Sequence, residues 1–162
     1  MVERARARVT AFVYGNILVL AAVLTATPDS VGDGHAALVV LATTVTTYLA
    51  HVVSHAVGDV IGRDLEEPRP RGEGAGELRD ALPIVSSGTV PTLVLLVAWW
   101  TDLGAGTAVL VAAGATVVRL AGMGLVVGRL SGYAPSGRQW WAGVVLAVVS
   151  AVIAVLKVLL TH

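Results

Sequence analysis

Thr44, Tyr48, His51, His55 and Asp59 recur at spacings of four, three, four and four within the stretch TTVTTYLAHVVSHAVGD, from Thr43 to Asp59. That spacing predicts one face of an α-helix. His51 and His55, one turn apart, form an HxxxH pair, which could share a metal ion, move a proton near neutral pH, or hydrogen-bond between helices. Asp59 lies about 12 Å from His51 along such a helix, too far to complete a site with both histidines. The other histidines, His35 and His162, fall at the opposite ends of their segments, and the chain has no cysteine. A metal or haem centre within one chain is therefore not expected, and no cofactor is expected either.

Arg119 is the second residue that could do chemistry, because it lies deep in an apolar run. Arginine keeps its charge, so at that position it needs water, a counter-group or an anionic ligand. Two readings stand side by side. In one, the guanidinium coordinates an anion or sets the field of a pore; in the other, it ties helices together or reaches back toward the membrane surface.

The elements that must position these residues are set by composition. Hydrophobic residues make up 56% of the 162 and charged residues 14%, well below the quarter usual in soluble domains. Five apolar runs are long enough to cross a membrane, at about 9–27, 36–58, 82–100, 106–128 and 140–160. They form a single transmembrane domain. The first run follows a basic start, as in a signal peptide, but it is long for one and further spans follow. Residues 59–81 (DVIGRDLEEPRPRGEGAGELRDA) read as the one long polar loop, with a short helical piece near Gly76 to Leu82. The expected fold class is an all-α, polytopic membrane helix bundle.

Orientation follows from the arginines. Arg4, Arg6 and Arg8, then Arg63, Arg69, Arg71 and Arg79, then Arg129 and Arg138 all fall on one side, and the loops Pro28–His35 and Thr101–Ala105 carry no Lys or Arg. The positive-inside rule predicts a cytoplasmic N-terminus and an outer C-terminus. Trp99 and Trp100 would mark the outer interface, and Tyr133, Trp140 and Trp141 the inner one. Ten of the eleven basic residues are arginine, and Ala, Val and Gly are abundant, as in proteins of GC-rich bacteria. The expected location is the bacterial inner membrane.

With that topology, His51 and Arg119 lie at similar depth, joined there by Tyr14, Asn16, Ser86, Ser87 and Thr89 from the first and third spans. Pro91 adds to this layer by freeing the carbonyl of Ser87. The expectation is one cytoplasm-facing polar cavity formed by the first four spans, involving Arg119, His51, His55, Tyr48, Asn16, Ser87, Tyr14 and Asp59. The functions weighed are transport of a small ion or solute, lipid-headgroup binding or membrane catalysis, and a non-catalytic subunit. A homo-oligomer is expected if a pore exists, since five short helices leave little room within one chain. Gly124-x-x-x-Gly128, and Gly143 with Ala147, fit close helix packing. No nucleophile elbow, phosphate loop or intramembrane carboxylate pair occurs, and no concentrated basic surface suggests nucleic acid.

Arg8 to Leu18, RVTAFVYGNIL, resembles a degenerate form of the first-helix motif RxxxFSDG of the lysosomal and bacterial potassium channels that lack a conventional selectivity filter. Arg8, Phe12 and Gly15 match, while Val13 and Tyr14 replace the Ser-Asp pair. That family has six spans per repeat, against five here, and nothing of its pore is implied beyond the three matching positions. The whole chain also resembles small actinobacterial integral membrane proteins, a likeness that implies no activity.

Overall fold

From Val2 to Leu24 the chain carries no proline and is rich in alanine, valine and leucine, and it forms one helix, α1. The helix stops before Thr27, which is extended because it precedes Pro28. Pro28–Gly32 then forms a single helical turn, α2, where only a polar turn was expected. Local chemistry explains it. Thr27 Oγ1 accepts from the Ser30 N–H at 3.2 Å, Ser30 Oγ accepts from the Thr27 N–H at 2.9 Å, and proline opens the turn. Gly34 follows with φ of +79°, and a Cβ there would lie 2.8 Å from the Trp99 ring. The remaining helices are α3 (His35–Gly62), α4 (Leu82–Trp100), α5 (Ala105–Leu130) and α6 (Gly137–Thr161).

This computed structural model describes residues 2–62, 78–79, 81–101, 103–130 and 137–161. Among the described residues there is no strand, and five helices are long and apolar enough to cross a membrane. The fold is the expected polytopic helix bundle. The first helix begins earlier than its apolar run, and α3 continues four residues past the expected end of the second span, to Gly62. Most of the expected loop, and its acidic groups Asp64, Glu66, Glu67, Glu73 and Glu77, lie outside the described residues.

α1 is the axis of the bundle. It packs against α3, α4, α5 and α6, whereas α3 touches neither α5 nor α6. The other four long helices thus form an arc around α1 that is open between α3 and α6. On the side of the α2 turn, a continuous apolar core joins Val19 and Val23 of α1, Val31 of α2, Ala36, Ala37 and Val40 of α3, Leu95 and Ala98 of α4, and Ala108 and Ala112 of α5. In lipid these helices gain little from burying apolar surface against one another, so close van der Waals fit carries the packing. The fit is tightest at small residues. A Cβ on Gly88 of α4 would overlap the Thr44 side chain of α3, and one on Gly143 of α6 would overlap the Ala121 carbonyl of α5.

Because the obstacle at Gly143 is backbone, it cannot turn aside. Gly143→Ala is expected to lower stability by about 1–3 kcal/mol, the usual range for overpacking. Gly114→Ala, where the added carbon meets nothing within 4 Å, should leave it unchanged. Thermal unfolding of the two purified variants in detergent compares them directly.

Candidate functional site

Successive residues of α1 differ in direction by about 100°, so Phe12 and Tyr14 point to nearly opposite sides. That rotation decides where the polar groups go. Ala11 and Gly15 face α4: Ala11 is buried with Ala81 and Ile84, and a Cβ on Gly15 would lie 2.9 Å from Ser87 Oγ. Phe12 faces α5, and Tyr14 faces α3. The single cavity expected from the first four spans is not formed, because α1 stands between α3 and α5 and divides the layer in two.

On the α5 side, Arg119 is half-buried and fully engaged with protein at its tip. Its Nη1 donates to the Ser86 carbonyl at 2.7 Å and its Nη2 to Ser86 Oγ at 3.0 Å. Its Cζ lies 5.3 Å from the centroid of the Phe12 ring, a cation–π distance. Ser86 sits one turn inside the start of α4, so the guanidinium reaches from α5 toward the arginine-rich end of the bundle. One side chain therefore pins three helices, the tie that stood beside anion coordination as a reading of the sequence. Asn16, one turn beyond Phe12 on the same face, is fully buried; its Nδ2 donates to the Phe12 carbonyl at 2.7 Å, and its Oδ1 has no partner.

On the α3 side lies an open slot of about 440 Å³, lined by Tyr14 of α1 and by Thr46, Thr47, Ala50, His51 and Ser54 of α3. Tyr14 is 53% exposed beside it, while Thr47 is only 7% exposed. The rings of His51 and His55 meet at a tilt of 60° with centroids 4.6 Å apart, His51 half-buried at the slot and His55 exposed beside it. The predicted stripe on α3 is thus split. Thr44 is buried against Gly88 and donates to the Val40 carbonyl at 2.8 Å, and Tyr48 packs on Ala11, Ala81 and Ile84. Ser87 is buried at the Gly15 contact, donating to the Ile84 carbonyl at 2.6 Å. Asp59 belongs to α3, but its side chain lies outside the described residues.

The residues the sequence reading passed over are Thr46, Thr47, Ala50 and Ser54. Thr43, Thr47, Ala50 and Ser54 repeat the stripe's four-three-four spacing one helical position ahead of Thr44, Tyr48, His51 and His55, in small and hydroxyl-bearing residues. A second groove, of about 230 Å³, lies at the other end of the same α1–α3 seam, with Ala22, Thr25, Ser30, His35 and Val39 among its walls. Among the described residues, no three of His, Cys, Asp or Glu gather as a metal site. Comparison with known protein families, curated proteins and solved structures finds no match.

Arg119→Ala removes two hydrogen bonds and the ring contact, and the expected loss is about 1–3 kcal/mol. Arg119→Lys, which keeps the charge but not the two-pronged geometry, should recover only part of it. Unfolding midpoints of the two variants in detergent, set against wild type, measure both effects.

Proposed function

We propose that this chain moves a small polar solute or ion across the membrane along the seam between α1 and α3. The observation that carries the reading is the pair of grooves at opposite ends of that seam, one holding His51 and Tyr14 and the other His35 and Thr25. About 12 Å of helix separates Tyr14 from Ala22, so the closed middle of the path is short. Its walls face Leu18 of α1 and Thr43 of α3, both half-buried. The centre of the bundle offers no competing route, because it is filled by the apolar core around Val23, Val40 and Leu95. Within the seam, Tyr14, Thr47 and Ser54 supply hydroxyls that both donate and accept hydrogen bonds, and His51 adds an imidazole. Such a lining replaces the hydration of a small polar species without trapping it, and this favours passage over tight binding. Arg119, already bound to Ser86, supports the architecture from the other side of α1.

On this reading the larger groove and the N-terminus face the cytoplasm of a bacterial inner membrane, an orientation that the arginine distribution supports. Ser30→Cys should then react with a membrane-impermeant maleimide added to intact cells, and Gly137→Cys should react only after the cells are opened. Reaction of the latter in intact cells would reverse the assignment.

Flux is the direct test. In proteoliposomes with potassium, proton, chloride and neutral-solute gradients run in parallel, one gradient should dissipate faster than in empty vesicles. Thr43→Trp, which fills the seam, should slow that flux by about tenfold, an effect of ~1.4 kcal/mol on the path. No dissipation of any gradient by well-reconstituted wild type would sink the transport reading.

A further inference from the structure

The arc of helices around α1 lacks one member. α3 and α6 do not meet, and the strip of α1 between them carries Tyr14, 53% exposed, inside a helix long and apolar enough to cross a membrane. Hydrocarbon cannot satisfy the Tyr14 hydroxyl, the exposed Ser54 or the His51 imidazole, and leaving such groups bare there is costly. Thr47, more than nine-tenths buried, lines the same slot.

We propose that a second copy of this chain closes the slot, the two α3 helices packing against each other about a two-fold axis that runs along the bundle. The chemistry of the slot favours a copy over a different partner. Every polar group that lines it is a hydroxyl or an imidazole, able both to donate and to accept, and none is a carboxylate or an arginine. A face of this kind is complementary to itself: donors meet acceptors on rotation by a half-turn, and no charge is left unmatched. Ala50 and Ser54, both exposed at the slot, are small enough for two backbones to approach closely, as close-packed membrane helices require. The same rotation brings the His51–His55 pairs of both copies toward the axis, so the four imidazoles lie on two levels of the interface about 6 Å apart. The pairing does not depend on solute movement; a dimer without flux would leave it intact.

Because the chain has no cysteine, single introduced cysteines report the contact. Ala50→Cys and Ser54→Cys, oxidised in native membranes, should yield mostly covalent dimer. Val118→Cys on α5 and Val145→Cys on α6, both on exposed faces, should remain largely monomeric. Equal crosslinking at all four positions would indicate random collision and overturn the proposal. So would slot variants that react with maleimide yet fail to crosslink. Counting photobleaching steps of singly labelled chains in nanodiscs gives a second readout. Wild type should show two chains per particle and Ala50→Trp one, and single chains for wild type would overturn the proposal without reliance on any slot variant.

Discussion

The contact on which the rest of the bundle depends is the approach of α1 to α4 at Gly15. A methyl group there would lie 2.9 Å from Ser87 Oγ and 3.1 Å from the Ile84 Cα, so only a hydrogen fits without displacing α4. In lipid, where apolar burial offers helices little, such a close fit decides which face of a helix meets which neighbour. Once Gly15 and Ala11 are turned to α4, the helical period leaves no choice for their neighbours. Phe12 must face α5 and Tyr14 must face α3. Arg119 then finds an aromatic face and a helix carbonyl, and His51 finds a phenol and a slot.

The two ends of the bundle handle polar groups differently. Toward the α2 turn, the apolar cluster that joins the helices is built of Val, Leu and Ala. Toward the arginine-rich end, hydroxyls and an amide are buried, but several of them bond within their own helix. Thr44 returns to Val40, Thr116 to Ala112, Ser87 to Ile84 and Asn16 to Phe12. Those bonds make the groups tolerable in an apolar setting and contribute little to joining helices. Arg119 differs, since its hydrogen bonds cross from α5 to α4. Its cost of burial is offset by a carbonyl, a hydroxyl and a ring rather than by a counter-charge, an arrangement that holds helix position without requiring a ligand.

Depth was legible in the sequence, and rotation was not. Run lengths and loop polarity locate the five helices within a few residues, because crossing hydrocarbon imposes a length and an apolar composition. The helical turn of α2 escaped notice because it depends on a capping exchange between Thr27 and Ser30, a short-range signal inside what reads as a polar loop. The common depth of His51 and Arg119 was inferred from counting residues along antiparallel spans, and counting says nothing about azimuth. Only the position of α1 shows that the two lie on opposite sides of it. The stripe on α3 failed in a related way. Thr44 and Tyr48 share a face with His51, yet the neighbour covering that face changes along the helix, from α4 at Gly88 to the open slot beside Tyr14. Thr47 and Ser54, one position ahead, turn out to line it.

The same geometry links the proposed path to the proposed interface. A solute crossing this bundle cannot pass through its centre, where Val23 and Val40 are wholly buried among alanines and leucines. On the proposed reading it follows the α1–α3 seam, which within one chain is uncovered on its outer side, between α3 and α6. A half-open groove of hydroxyls in hydrocarbon is a poor conduit, because the species it carries would be solvated on one side only. A second α3 laid across the slot supplies the missing wall with the same hydroxyls and imidazoles, so that the groove becomes enclosed and polar all round. Conduction along this seam therefore requires closure of the slot, whereas closure does not require conduction.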